Sequence, residues 1–177
     1  AYHLSKGLTV QEALHFLTVR ELADRLVTGE ITSVDLTRMY LDRAEQLDPP
    51  PFDLPSEPRN DHDGKLSTMV TIARDHALES AERADAELRA GRRRSILHGV
   101  PYGVKDLLDT DGIRTTWGSG IFRDRVPLRN AAVIDKLRES GAVLMAKMSL
   151  GEFAGGNTSS ALNPWKLDRT SFGSSSG

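Results

Sequence analysis

The sequence predicts an α/β layered domain. Three observations carry that reading: helical periodicity with start and stop chemistry through the first half, short apolar runs between glycine turns after Gly99, and a buried strand directly after a helix. In the last of these, a helix over 131–140 closes at Gly141, and Ala142-Val143-Leu144-Met145-Ala146 follows as a continuous apolar run. An apolar run with no alternation is the pattern of a strand covered on both faces. Helix, glycine turn and buried strand in succession imply helices packed on a sheet. The chain has 177 residues, which suits one domain, or a large piece of one, with a real core.

The elements follow in chain order. Val10, Leu14, Leu17, Leu22, Leu26 and Val27 recur at helical spacing, so a helix is expected over 10–28 with Gly29 as its stop. Thr32-Ser33-Val34-Asp35 has the capping-box form, an acid three residues after a hydroxyl, and opens a helix that runs to about Asp48. Leu36, Met39, Tyr40, Arg43 and Leu47 recur along it, and Pro49-Pro50-Pro51 ends it. Residues 49–65, with five prolines and Asn60-Asp61-His62-Asp63-Gly64, read as a polar loop. A β-like run over 67–72 precedes an alanine-rich, charged helix over 73–90, stopped by Gly91. Arg92-Arg93-Arg94 then reads as a solvated turn beside a helix C-terminus, where cations are favoured.

Composition excludes several function classes. A formal net charge of -2 and a pI near 6.2 supply no basic field for a phosphate backbone, so nucleic acid is not implied. The absence of cysteine removes disulfides, thiolate catalysis and cysteine zinc sites. No apolar stretch approaches the roughly 18–20 residues of a membrane span. The start, Ala1-Tyr2-His3-Leu4-Ser5-Lys6, lacks the basic and apolar regions of a signal peptide. Cytoplasm is the default expectation, with a leader removed before Ala1 as the alternative.

Several constellations fail on inspection. Asn60 to Gly64 has part of a calcium loop, but Arg59 and Val70 occupy the positions of the first ligand and the closing acid. His3, His15, His62, His76 and His98 show no paired metal spacing. His98, before the Gly99 turn, is better read as structural than as part of a site. Neither a P-loop nor a dinucleotide-binding glycine turn is present.

Two features remain. Gly99-Val100-Pro101-Tyr102-Gly103-Val104-Lys105-Asp106 places one lysine inside an apolar strand, and lysine is rarely buried without a partner. By itself this fits an edge-strand lysine reaching water, a lysine paired with Asp106, or a buried functional lysine. Thr170-Ser171-Phe172-Gly173-Ser174-Ser175-Ser176-Gly177 fits either a flexible linker or a hydroxyl-rich loop able to pass a proton or bind an oxyanion.

Taken with Thr115-Thr116-Trp117-Gly118-Ser119, the run from Gly141 to Ala154, and Asn163-Pro164-Trp165, these two features form an ordered set of blocks. The set closely resembles the amidase-signature family, most specifically over 99–177. The resemblance implies an incomplete amidase-type layered fold, a mixed sheet flanked by helices. Within it, 1–95 is a mainly helical N-terminal region and 96–177 is the start of the catalytic core, together the N-terminal portion of one domain.

By position, the resemblance makes Lys105 the catalytic base, expected to be buried, and Ser174 the bridging serine. Gly155, Gly156 and Asn157 become candidate substrate contacts, and the nucleophilic serine falls about two dozen residues past Ser174, beyond Gly177. A serine hydroxyl needs a base before it can attack a carbonyl, and desolvation disfavours an ammonium, so a buried lysine can serve as a neutral one. The implied reaction is hydrolysis of a carboxamide C–N bond to an acid plus ammonia or amine, with no cofactor and no metal. The implied partner is a small-molecule amide, with no nucleic acid and no membrane. The 177 residues alone are then expected to be inactive and to continue in a further segment; homo-oligomerisation is left open.

Phe172 stands where that family often has a second glycine, Ser176 where glycine is usual, and the loop around Ser160 to Pro164 is short. These departures favour a stand-alone amidase over the alternative, the A subunit of a glutamine-dependent tRNA amidotransferase. A non-catalytic fragment or interaction module is the alternative from another class.

Overall fold

The computed structural model describes residues 14–48, 66–155, 160–171 and 173–174. The proline-rich loop with Asn60 to Gly64, and Gly156, Asn157, Phe172, Ser175 and Ser176 from the site readings, lie outside the described residues.

Helix α1 spans Val19–Thr28; of the helix expected over 10–28, residues 10–13 lie outside the described residues, Leu14 is helical, and a turn breaks the helix before Thr18. The chain turns at His15–Leu17, and Thr18 starts the helix with a full capping box: its hydroxyl accepts from the Glu21 N–H while its own N–H donates to the Glu21 carboxylate. Apolar spacing continues through that turn, so periodicity overran a boundary that the cap determines. Gly29 ends the helix in the left-handed conformation, as expected.

Helix α2 spans Ser33–Leu47, with the Thr32 hydroxyl accepting from the Asp35 N–H. The next two free N–H groups are met from elsewhere. Asp85, buried on helix α3 (Arg74–Arg89), accepts from the N–H groups of Ser33 at 2.7 Å and Val34 at 3.1 Å. A carboxylate here also faces the positive end of the α2 dipole. Asp85→Ala is expected to cost about 2–3 kcal/mol, read as a lowered urea midpoint of the intact protein; an unchanged midpoint removes Asp85 from this role. At the other end of α2, the buried Asp48 carboxylate accepts from the N–H groups of Ser67 and Thr68 and from the Thr68 hydroxyl.

Strands β1 (Met69–Ile72), β2 (Pro101–Lys105) and β3 (Val143–Met148) form a mixed sheet in the order β1-β3-β2. β1 runs antiparallel to β3, and β2 runs parallel to it. The central strand is the one the apolar run predicted, and Val143, Leu144, Ala146 and Lys147 on it are buried. Between β2 and β3 the chain crosses through α4 (Ala132–Glu139). α3 lays Ala77 and Ala81 against Leu41 of α2 and Val143 of β3; alanines on that face let the helix come close to both.

Gly141, at φ +85°, shows why the turn into β3 takes glycine. A Cβ there would stand 2.6 Å from the His98 ring. His98 is buried, its Nδ1 accepts from the Arg94 N–H, and its Nε2 lies 3.2 Å from the Glu87 carboxylate. Burial pushes the imidazole below its ordinary value. This lies at the N-terminal ends of β2 and β3, where Gly99 donates to Gly141, and so at the opposite end of the sheet from Lys105. Arg94 pairs with Glu87, in keeping with a solvated turn.

A hairpin follows, β4 (Leu162–Asn163) with β5 (Lys166–Thr170), with Trp165 at its tip 91% exposed. All five β5 residues are exposed, so no hydrophobic alternation marks this strand in the sequence.

Candidate active site

The parallel strands β2 and β3 end side by side, with Lys105 opposite Met148. Crevices beyond the carboxyl ends of parallel strands are where α/β sheets place ligands. Three loops gather at this edge: 106–119 after β2, 149–155 after β3, and the segment reaching Ser174. Asp106 N–H donates to Met148 O, Trp117 N–H to Asp106 O, and Phe153 N–H to Trp117 O. The Ser119 hydroxyl donates to Glu152 at 2.7 Å. Trp117, Phe153 and Ala154 all have positive φ, between 52° and 57°. Left-handed backbone in non-glycine residues stores strain that surrounding contacts must hold. At Gly118, φ +72°, a Cβ would stand 3.1 Å from the Leu150 carbonyl, so the 106–119 and 149–155 loops approach through a missing side chain.

Lys105 and Ser174 are brought together across this edge. Lys105 Nζ donates to Ser174 Oγ at 3.5 Å, a long hydrogen bond. Lys105 is half-buried and Ser174 is exposed, which differs from the expectation of a buried lysine. Gly155 follows the strained pair Phe153-Ala154, and its N–H donates to Glu152 O. Its two neighbours in the substrate-contact reading, Gly156 and Asn157, are among the undescribed residues.

Among the described residues, the fully buried lysine is Lys147. Its Nζ donates to Leu108 O, to Thr110 Oγ1 at 3.0 Å and to Thr115 Oγ1 at 2.7 Å, which uses all three donors of an ammonium. It stands 3.7 Å from the Asp106 carboxylate, and neither side chain has any exposure. Asp106 Oδ2 accepts from the Thr116 N–H and hydroxyl. Burial drives Lys147 down to about 8 and Asp106 upward, while their mutual attraction and, at Asp106, the hydrogen bonds from Thr116 oppose those shifts. Asp106 therefore pairs with Lys147 and leaves Lys105 alone. Among the described residues, the Lys105 ammonium has Ser174 as its one hydrogen-bond partner and no carboxylate within ion-pair distance.

The sequence held a signal for Lys147 that motif reading passed over: it continues the run read as buried on both faces. A lysine inside a central strand meets the test for an unusual buried cation better than one at a strand's end.

Between about pH 8 and 10.5, the unfolded chain keeps a proton on Lys147 that the folded chain has lost. The unfolded state then binds more protons, so stability rises with pH across this window. The Asp106→Asn/Lys147→Met variant is expected to lack that rise, read as Tm against pH in the intact protein.

Beside the pair, Asp109 accepts both guanidinium nitrogens of Arg125, at 2.8 and 2.6 Å, and the Trp117 indole N–H at 3.1 Å. Arg125 lies 4.0 Å over the Trp117 ring. Trp117, Phe122 and Phe153 meet edge to face, forming an aromatic wall next to the Lys105 edge. Among the described residues no group of acids and histidines could hold a metal ion, and no helix is long and apolar enough to cross a membrane.

The family model for Amidase matches residues 59–177. The A subunit of glutamyl-tRNA(Gln) amidotransferase from Heliobacterium modesticaldum is 37% identical over 170 residues, covering 93% of this chain and 32% of the relative. The protein of the same name from Desulfatibacillum aliphaticivorans is 36% identical over 171 residues, with the same coverage. The chain thus spans about a third of the length of the curated relatives it matches. The native peptide amidase from Stenotrophomonas maltophilia superposes with a TM-score of 0.76 at 29% identity, over 91% of this chain and 32% of that one. Fatty acid amide hydrolase shares the fold, with a TM-score of 0.74 at 23% identity over 96% of this chain and 28% of that one. The mixed sheet and its flanking helices are thus those of solved amidases, and with more than half of its residues under one family model, the chain belongs to the amidase family.

Proposed function

We propose that the intact protein hydrolyses a carboxamide C–N bond through a relay in which Lys105 is the base and Ser174 the proton carrier. The observation that supports this is the approach of Lys105 Nζ to Ser174 Oγ at 3.5 Å, with the adjacent Asp106 carboxylate turned towards Lys147 instead. In the neutral state Lys105 takes the Ser174 proton while Ser174 takes that of a nucleophilic serine outside these residues. The serine oxygen attacks the carbonyl carbon, and backbone N–H groups stabilise the oxyanion. As the C–N bond breaks, the leaving nitrogen takes a proton from Ser174, which is replenished from the Lys105 ammonium. Water then cleaves the acyl-serine ester through the same relay, restoring serine, Ser174 and Lys105 and releasing the acid. This route needs no metal or cofactor.

A second reading shares the site: an amidotransferase component that releases ammonia from glutamine. The identity of 37% to such a protein favours it, whereas Phe172 and Ser176 in the serine loop favour the stand-alone enzyme. The deciding experiment treats the purified intact protein with a serine-reactive fluorophosphonate probe and assays simple carboxamides. Labelling with turnover as a lone polypeptide supports the hydrolase. Labelling with turnover only of glutamine, and only with partner subunits, selects the second reading, and no labelling removes both.

A further inference from the structure

We infer that Asp106 and Lys147 act together as positioning residues for Lys105, holding the end of β2 rigid while keeping a carboxylate out of the lysine's reach. The inference rests on the proposed role of Lys105 as base. Its grounds are geometric. Every polar group of Asp106 but one is tied down: N–H to Met148 O, carbonyl to Trp117 N–H, and Oδ2 to both donors of Thr116. The remaining oxygen, Oδ1, is buried without a hydrogen bond and faces Lys147 at 3.7 Å.

Lys147 in turn sits opposite Val104 in the parallel register and gathers Leu108, Thr110 and Thr115 around its ammonium. Both ends of the 106–116 loop are thereby clamped to the central strand, one peptide away from Lys105. Successive side chains at a strand's end point to opposite sides, so the clamp lies behind the sheet while Lys105 faces Ser174.

Stability alone does not account for the pair. Two apolar side chains of similar volume fill such a space without the cost of desolvating two ions, and such replacements are often neutral or stabilising. What ions supply here is direction: hydrogen bonds to Leu108, Thr110, Thr115 and Thr116 along the loop that follows Lys105. Further charged groups lie near the pair. Asp109, on the Lys147 side, is held by Arg125, and Arg114, on the Asp106 side, donates to Val70 O. The pair is thus electrically neutral beside the base, and losing either member leaves one net charge near Lys105.

The test uses the intact protein and its amide substrate, with Asp106→Asn, Lys147→Met, the double variant and, as a milder change, Thr116→Val. Lys147→Met is expected to move the acid limb of the kcat/KM profile up by about one pH unit, and Asp106→Asn to move it down by a similar amount. That is the scale for a charge roughly 10 Å away at an effective dielectric near 20. The double variant returns the limb towards the parent while kcat stays roughly tenfold or more below it, with KM within about twofold, because misplacement of a base affects the chemical step. Thr116→Val lowers kcat in the same manner with the limb in place, and it carries the test if the charge variants fail to fold. Parental kcat in both the double variant and Thr116→Val, or singles that shift the limb in the same direction, overturns the inference. A Lys105→Ala variant that keeps turnover overturns instead the role of Lys105 on which it rests.

Discussion

Lys105→Ala in the intact protein is expected to lower kcat for amide hydrolysis by roughly 10³-fold or more, with KM nearly unchanged. The loss is large because in the proposed relay the base acts twice, first removing the serine proton and then supplying one to the leaving nitrogen. Lys105→Arg should be as inactive despite keeping the positive charge, since a guanidinium does not give up its proton. That comparison separates a proton-transfer role from a purely electrostatic one: activity in the arginine variant would show that charge suffices, and activity in the alanine variant would end the assignment. Ser174→Ala should cost roughly 10²-fold. Ser175 and Ser176 adjoin Ser174 in the sequence, so parallel alanine variants identify which hydroxyl carries the proton by which one collapses kcat.

The second large effect concerns stability. Lys147→Met leaves the Asp106 carboxylate buried and unpaired, and Asp106→Asn leaves the Lys147 ammonium without its counter-charge; each is expected to cost about 3–5 kcal/mol. The double variant should recover most of that loss, because two neutral groups need no compensation in a site with no exposure. Urea denaturation of the three variants gives the coupling directly as a double-mutant cycle. Additive losses would mean that the two charges do not compensate each other, and the 3.7 Å approach would carry no energetic weight.

The course of the chain was legible where local chemistry is decisive. The Thr32 cap, the helix stops at Gly29 and Gly141, and the doubly buried strand over 142–146 all depend on residues a few positions apart, and all appear in the structure. The start of α1 was overrun because Leu14 and Leu17 carry the apolar spacing across a turn at 15–17, and only the Thr18–Glu21 reciprocal cap marks the boundary. β5 gave no signal because a strand exposed at every position need not alternate.

By itself the sequence determined the family, from the order of its blocks, and named the pair Lys105 and Ser174, which stand 69 positions apart. Tertiary structure decided which lysine is buried and which partner Asp106 takes. Those outcomes depend on strand register: pairing β2 with β3 puts Lys147 beside Val104, behind the sheet, where desolvation makes an ion seek every available partner. A neighbour in sequence, Asp106, is thereby withdrawn from Lys105, and a distant hydroxyl is brought to it. Proximity along the chain favoured a Lys105–Asp106 pair; the alternation of side chains across a sheet separated them.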